Sequence, residues 1–177
     1  LVSEGKITNY SLEKLSFEKE IDKQGKIDDV LSPNDTILTQ IIKEPISTKG
    51  PRISSELSFA GRFLVLIPLS NRISVSQKIK SKKERDRLKK LIEEFRPKGF
   101  GVIIRTVAQG KKVAELEKDL QSLYNQWLSL CSKINGAKPP SRILSELNRS
   151  SSILRDLFDD QFKGVYCNDK NLCYELK

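Results

Sequence analysis

The sequence predicts an α+β protein with a mixed, mainly antiparallel sheet, two main amphipathic helices and a short third helix. Two strand-like segments, an apolar run at 53–67 and a β-branched run at 101–107, each precede a segment with apolar residues three and four apart. With 37% hydrophobic and 31% charged residues, the 177-residue chain can bury the core of one domain or slightly more. This composition argues against a disordered protein.

The N-terminal part of the chain predicts little regular structure. Residues 1–35 are polar and mixed in charge, and we interpret them as an irregular arm. Within them, residues 33–35 (Pro-Asn-Asp) favour a turn, and residues 36–42 (TILTQII) then predict a strand. Residues 45–52 predict a connector because they contain two prolines and a glycine.

Residues 53–67 predict either a pair of strands or one bent strand. Gly61 interrupts the alternation of this segment, and a glycine inside a strand often marks a bulge or a close approach of another group to the backbone. A turn at 68–71 leads to a shorter predicted strand at 73–79. The apolar side chains expected on one face of the longer segment are Leu57, Phe59, Phe63, Val65 and Ile67.

A first amphipathic helix is predicted after these strands. Ser81 and Glu84 have the spacing of a capping box. Apolar residues at Leu88, Leu91, Ile92 and Phe95 follow helical periodicity, and the opposite face is rich in lysine and arginine. Residues 96–99 (RPKG) end the helix.

A second, longer helix is predicted after Gly110 and ends at 136–140. Its apolar stripe from Val113 to Ile134 includes Trp127, which we interpret as a core residue rather than a nucleobase stacker. A short helix at about 153–158 and a strand-like segment at 164–167 complete the expected order of elements.

The net charge of +9 is concentrated in one part of the chain. Residues 43–112 hold 18 Lys/Arg against 6 Asp/Glu, a balance of +12, whereas the remainder holds 14 against 17, a balance of −3. One strongly basic segment in an otherwise neutral-to-acidic protein is typical of a polyanion binder. A solvated lysine-rich surface without a partner is the alternative at this point.

Several function classes are disfavoured by what the sequence lacks. The chain begins at Leu1 and contains no methionine, which indicates a fragment with further functions outside it. Three cysteines without CxxC spacing and no histidine provide few ligands for zinc, so reduced thiols in a cytoplasmic protein are expected. No segment approaches the roughly 20 apolar residues of a membrane span, and no signal peptide is visible.

Arg105 and Thr106 form the candidate binding pair. They lie at the end of a predicted strand that leads through residues 108–110 into a helix. This setting places a guanidinium, a hydroxyl and backbone N–H groups near a helix N-terminus, which suits an anion such as phosphate. Arginine suits the position better than lysine because its fork can bind two phosphate oxygens.

Several short motifs make the chain recognisable by their order and spacing. They are TKG at 48–50, LSFAGRFLVL at 57–66, SQKI at 76–79, GVIIRT at 101–106, NR at 148–149 and ILRD at 153–156. Together they resemble the ribonuclease E/G family over roughly residues 36–169. The resemblance implies three parts: an irregular arm with the closing strand of an OB-type RNA-binding domain at 1–45, a 5′ sensor domain at 46–157, and the start of an RNase H-like segment at 158–177.

The 5′ sensor of this family is a pocket that recognises the 5′-monophosphate end of RNA. The resemblance implies that Arg105 and Thr106 hold the terminal phosphate, and that Gly61 and Val65 line the place of the first nucleotide. Where the family has an Arg-Arg pair after the serine, this chain has Gln77-Lys78, which indicates a weaker grip or altered selectivity. The complete predicted RNA-binding set is Arg105, Thr106, Gly61, Val65, Lys78, Gln77 and Arg62.

The resemblance also implies that catalysis lies outside this chain. The magnesium-binding aspartates of the family and its zinc-binding cysteine pair belong to a nuclease subdomain C-terminal to the matched region. We therefore predict no catalytic residue, metal site or cofactor here, with Mg2+ and Zn2+ implied only for the full-length endoribonuclease of RNA processing and decay. Asp156, Asp159 and Asp160 are interpreted as a surface group at a helix end rather than metal ligands.

Three hypotheses follow for the chain's role. The leading one is an RNA-end sensor that binds 5′-monophosphorylated single-stranded RNA and positions it at a distant active site. The second is a sequence-independent RNA-binding module that uses the lysine-rich first helix. The third is a docking part that contacts other subdomains or subunits of a parent enzyme expected to be a homo-oligomer when full length.

Overall fold

The chain divides into two units between Ile143 and Leu144. The predicted α+β class is confirmed, with strands and helices in the first unit and mainly antiparallel strand pairing. Most of the expected N-terminal arm lies outside the described residues. The computed structural model describes residues 25–29, 31–145, 149–157 and 161–175.

Strands and helices follow one another along the first unit. The strands described there are β1 (Gln40–Lys43), β2 (Arg52–Ser54), β3 (Phe59–Ala60), β4 (Leu64–Pro68), β5 (Ile73–Val75) and β6 (Phe100–Ile104). The helices are α1 (Lys82–Phe95) and α2 (Val113–Ile134), with short 3-10 segments at Ile27–Asp29 and Thr106–Ala108. The described part of the second unit contains α3 (Arg149–Leu157) and α4 (Lys170–Glu175).

A four-stranded sheet in the order β3-β4-β6-β5 forms the centre of the first unit. β4 pairs antiparallel with both β3 and β6, whereas β5 runs parallel to β6. In the β4–β6 register Leu64 lies opposite Ile104. The end of β6, which Arg105 follows directly, is therefore next to the beginning of β4 and the turn that precedes it. β1 and β2 form a separate antiparallel pair.

The core lies between this sheet and the two helices. α2 packs against β3 and β4, and α1 packs mainly against β5. Trp127 of α2 is only 2% exposed, and its ring makes edge-to-face contacts with Phe59 and Phe100. Such pairs add a directional term to apolar burial. The interpretation of Trp127 as a core residue is therefore confirmed.

The predicted common face of residues 53–67 is wrong beyond Phe63. A bend at residues 61–63 separates β3 from β4, and Gly61 N–H donates to Leu64 O across it (2.8 Å). The alternation restarts at Leu64, so Leu64 and Leu66 are fully buried. Val65 and Ile67, expected on the core side, are instead half-buried on the opposite face of the sheet.

Element boundaries also differ from the prediction at both ends of the described chain. β1 begins at Gln40 rather than at residue 36, and β2 takes up the end of the predicted connector to pair with it. In the second unit, residues 164–167 do not form a strand, and α4 follows them instead. Isolated short segments are poorly specified by local pattern because pairing partners decide whether a strand forms.

The predicted start of α1 is correct, but the reciprocal half of its capping box is replaced. Ser81 is the N-cap, and its hydroxyl accepts a hydrogen bond from Glu84 N–H (3.3 Å). Rather than returning to the Ser81 backbone, the Glu84 carboxylate accepts hydrogen bonds from Arg87 and from Gly110 N–H. The first turn of α1 is thereby connected to the segment before α2.

Candidate functional site

Arg105 is held by the chain segment that precedes β4. Its backbone N–H donates to Phe63 O (2.8 Å), and its guanidinium Nη1 donates to Gly61 O (2.6 Å). The side chain is half-buried, whereas Thr106 beside it is exposed and begins the 3-10 segment. The two residues therefore combine an oriented guanidinium with an accessible hydroxyl at one end of the sheet.

The Thr106 hydroxyl lies next to the segment that follows β5. Thr106 Oγ1 and Ser76 Oγ are 2.9 Å apart, and Ser76 N–H donates to Ile104 O (2.9 Å). Arg85 of α1 reaches the same point, since its Nη1 donates to Ser76 O (3.3 Å). Two hydroxyls and a second guanidinium thus meet near the end of β6. Sequence reasoning identified Thr106 but missed both Ser76 and Arg85 as site residues.

Gly61, predicted to mark either a bulge or a close approach to the backbone, lies directly against the carboxylate of Asp119. A Cβ added to Gly61 would lie 2.6 Å from Asp119 Oδ2, so any larger residue would displace this side chain. The carboxylate accepts hydrogen bonds from three consecutive backbone N–H groups, those of Arg62 (3.1 Å), Phe63 (2.8 Å) and Leu64 (2.9 Å). We call residues 61–64 the Gly61 turn. Asp119 was missed, although a carboxylate beside the apolar stripe of α2 is a detectable signal.

The other predicted RNA-binding residues surround this turn or lie beside Ser76. Val65 pairs with Ile103 across β4 and β6. The Arg62 guanidinium lies 5.4 Å from the centre of the Phe63 ring. Gln77 and Lys78 are exposed just after Ser76, and Lys78 N–H donates to Ser76 Oγ (3.4 Å). Gly61 directly contacts Arg105, whereas Gln77 and Lys78 adjoin Thr106 through Ser76.

A second carboxylate holds the segment between Thr106 and α2. Glu84 binds Arg87 through two contacts of 2.7 Å and accepts a hydrogen bond from Gly110 N–H (2.8 Å). Arg87 also donates to Lys111 O (3.3 Å). These hydrogen bonds, first from Arg87 and then from Gly110, lower the pKa of Glu84 to about 2. We call residues 109–112 the Gly110 loop.

The basic segment predicted from the sequence includes an exposed face of α1. Lys82, Lys83, Lys89 and Lys90 are exposed, and Lys89 lies 3.9 Å from Glu93. Lys82 and Lys83 stand in the first turn of the helix, where the backbone dipole is itself positive. Cations at this position disfavour the helix. Their charge adds to the positive dipole of the helix end, so the potential next to Arg85 and Ser76 is positive.

The part of the chain that the structure describes shows neither a metal-ligand cluster nor a membrane-spanning helix. The described residues contain no group of three or more His, Cys, Asp or Glu side chains that could hold a metal ion. Asp156 instead pairs with Arg155 Nε (3.2 Å), while Asp159 and Asp160 lie outside the described residues. Within the same residues, no helix combines the length and apolar character needed to cross a membrane.

Comparison with known proteins identifies the family. Residues 58–177 match the Ribonuclease E/G family. The chain is 33% identical to ribonuclease E of Nostoc sp. over 132 residues, covering 75% of this chain and 19% of that protein. It is 32% identical to ribonuclease G of Escherichia coli (strain K12) over 149 residues, covering 84% of this chain and 30% of the relative.

A further relative, ribonuclease G of Haemophilus influenzae, is 32% identical over 152 residues, covering 86% of this chain and 31% of that protein. The chain thus spans less than a third of the length of each of these relatives. Because the family match covers more than half of this sequence, the chain belongs to the ribonuclease E/G family.

Proposed function

We propose that this chain is the 5′ sensor part of a ribonuclease E/G-type endoribonuclease and recognises the 5′-monophosphate end of single-stranded RNA. The observation that carries the proposal is the hydrogen bond from Arg105 to Gly61 O, which orients a guanidinium at the same end of β6 as the exposed Thr106 hydroxyl. A terminal monophosphate has a second ionisation near pH 6 and carries up to two charges, more than a backbone phosphodiester. An oriented guanidinium with nearby hydroxyls favours this more highly charged group.

Contacts to the first nucleotide are proposed on the open face of the sheet. Val65 and Ile103 lie opposite one another across β4 and β6, and Ile103 is 38% exposed. They face away from the core, which contains Leu64 and Leu66. An aliphatic surface of this kind favours contact with the face of a base. Gly61 lies in the turn before β4, at one end of this surface. Arg62 and Lys78 are proposed to contact the RNA backbone.

The remaining parts of the proposal concern the parent protein. Holding the 5′ end would anchor RNA and place a downstream segment at a distant active site, so the effect on cleavage is mainly positional. Cleavage, together with the Mg2+ and Zn2+ implied for the full-length enzyme, is assigned to segments outside this chain, which we expect not to cut RNA by itself. The proposed setting is a cytoplasmic homo-oligomer acting in RNA processing and decay, with residues 46–157 as the sensor domain.

A titration with three RNA ends tests the sensor role. Short single-stranded RNAs of one sequence, bearing 5′-monophosphate, 5′-triphosphate or 5′-hydroxyl ends, are bound to the wild type and to Arg105→Ala. We expect the monophosphate to bind more tightly by on the order of 1–3 kcal/mol, and the substitution to remove this preference. Arg72→Ala, at an exposed arginine just before β5, is the matched control and should retain it.

Equal binding of all three RNAs by the wild type would overturn the sensor role. Affinity that falls steeply with salt would then favour the second candidate, a general RNA-backbone surface. The exposed lysines at the start of α1 favour that candidate, and Lys82→Gln with Lys83→Gln would reduce the salt dependence. Absence of RNA binding at low salt would leave docking to other subdomains or subunits as the role.

A further inference from the structure

We propose that Asp119 is a positioning residue for the 5′-phosphate site, because its carboxylate sets the orientation of Arg105 through the Gly61 turn. The inference rests on the proposed function for its consequence in RNA binding. Its structural part, the coupling of Asp119 to Arg105, can be measured without RNA. Asp119 lies on α2, and its half-buried side chain crosses to the turn between β3 and β4.

The first coupling runs through a single peptide unit. Arg62 N–H donates to Asp119 Oδ1 (3.1 Å), and the carbonyl of the same unit, Gly61 O, accepts from Arg105 Nη1 (2.6 Å). A trans peptide is planar, with its N–H and C=O pointing in opposite directions. Asp119 therefore determines which way the Gly61 carbonyl points, and this carbonyl orients the guanidinium.

A second peptide unit, two units further along the turn, repeats the arrangement. Leu64 N–H donates to Asp119 Oδ2 (2.9 Å), and Phe63 O of that unit accepts from the backbone N–H of Arg105 (2.8 Å). Asp119 thus fixes two carbonyls that bind Arg105, one at its side chain and one at its backbone. A charged acceptor on each N–H also polarises the peptide and strengthens its carbonyl as an acceptor.

Gly61 is required for this arrangement on steric grounds. A Cβ at this position would lie within 2.9 Å of both carboxylate oxygens and the carboxylate carbon of Asp119. The absence of a side chain lets the carboxylate approach the turn closely enough to accept three hydrogen bonds. Gly61 thus leaves room for the Asp119 carboxylate. The proposed phosphate site depends on this glycine only indirectly, through the orientation of Arg105.

Two electrostatic effects of Asp119 on a bound phosphate oppose each other. The carboxylate orients Arg105 toward productive contacts, but its negative charge also repels a dianion at short range. We assign the larger effect to orientation, because the three N–H groups around the carboxylate already compensate much of its charge. The sign of the change after neutralising Asp119 therefore decides between the two.

A double-mutant cycle tests whether Asp119 acts through Arg105. The ratio of affinities for 5′-monophosphate and 5′-hydroxyl RNA is measured for the wild type, Asp119→Asn, Arg105→Ala and the double variant. We expect Asp119→Asn to lower the ratio at least about tenfold in the wild type and to leave it unchanged where Arg105 is absent. Glu117→Gln, two residues earlier on the exposed face of α2, should leave the ratio unaltered.

Equal effects of Asp119→Asn in both backgrounds, or a ratio that rises, would overturn the positioning role. Folding of each variant is checked by the fluorescence of the buried Trp127. If Asp119→Asn does not fold, Asp119→Glu takes its place in the cycle with the same expected dependence on Arg105.

An RNA-free measurement separates this inference from the proposed function. The Arg105 Nε–Hε group is followed by 1H–15N NMR relaxation in the wild type, Asp119→Asn and Glu117→Gln. We expect an ordered guanidinium in the wild type and in the control, and a mobile one in Asp119→Asn. An unchanged Arg105 signal in Asp119→Asn would overturn the coupling. If the coupling is present but the wild type has no monophosphate preference, the proposed function fails and the Asp119–Arg105 link stands.

Discussion

The Gly61 turn, which contacts Arg105, and the Gly110 loop, which follows Thr106 in the chain, are each held by a carboxylate, but the donors differ. Asp119 accepts three hydrogen bonds from uncharged backbone N–H groups of the Gly61 turn. Glu84 accepts one from the Gly110 loop and otherwise binds the charged side chain of Arg87. Both carboxylates come from helices and bind segments distant in sequence.

The kind of donor determines how many hydrogen-bonding groups remain without an acceptor when each carboxylate is removed. Without Asp119, three N–H groups of a tight turn lose their acceptor together, and water must reach a half-buried position to replace it. Without Glu84, Arg87 keeps its hydrogen bond to Lys111 O, and the exposed Gly110 N–H can bind water. Backbone-only anchoring is therefore the more vulnerable of the two, although the contacts between Glu84 and Arg87 are the shorter ones.

The largest expected effect is that of Asp119→Ala on stability. Because three backbone donors are left without their acceptor, we expect the free energy of unfolding to fall by about 2–4 kcal/mol. Urea denaturation followed by Trp127 fluorescence measures the change. Glu117→Ala is the matched control on α2 and should change the free energy of unfolding by no more than about 0.5 kcal/mol. A loss as small as that of the control would contradict the anchoring role of Asp119.

A smaller effect is expected when the charge of Glu84 is removed. Glu84→Gln weakens the contact to Arg87 and the hydrogen bond from Gly110, and should lower the free energy of unfolding by about 1–2 kcal/mol at neutral pH. The same denaturation experiment measures it, with Glu94→Gln near the other end of α1 as the control. If Glu84→Gln cost more than Asp119→Ala, the comparison between the two carboxylates would be reversed.

The smallest expected effect is a partial loss of the stabilisation by Glu84 as the pH falls below about 4.5. The folded protein holds the pKa of Glu84 at about 2, below its ordinary value of 4.5. The unfolded state therefore binds the extra proton first, so this stabilisation is complete above about pH 4.5 and is lost as the pH falls to about 2. Near pH 3 about half of the stability difference between wild type and Glu84→Gln should remain.

The difference in the free energy of unfolding between wild type and Glu84→Gln, measured across this pH range, cancels the contributions of groups that titrate in both proteins. Glu115, whose pKa is lowered mainly by the hydrogen bond from Lys112 N–H, titrates in both proteins. A stability difference that stays constant from pH 5 to pH 2 would show that Glu84 does not contribute through its charge.

Local pattern accounted for the two main helices, α1 and α2. The start of α1 at Ser81 and the buried stripe of α2 with Trp127 follow from capping and from a period of 3.6 residues, both of which are local. The short strands were less predictable. The phase of β4 depends on the bend at residues 61–63, and β2 exists because β1 pairs with it.

The candidate site was only partly visible in the sequence. Arg105, Thr106 and Gly61 were identified, and the structure places Arg105 in direct contact with Gly61. Ser76 meets Thr106, and Arg85 meets Ser76, only because β5 runs parallel to β6 and α1 packs beside them. No periodicity connects these residues, so pattern analysis along the chain could not bring them together.

The sequence by itself determined the two amphipathic helices, the buried tryptophan, the basic segment and the resemblance to the ribonuclease E/G family. Only the tertiary structure decided which group approaches Gly61 and how Arg105 is oriented. Asp119 reaches backbone N–H groups 55 to 57 positions earlier in the chain. Hydrophobic periodicity is repeated along the sequence and can be read from it, whereas one carboxylate that meets one turn depends on how helix and sheet pack together.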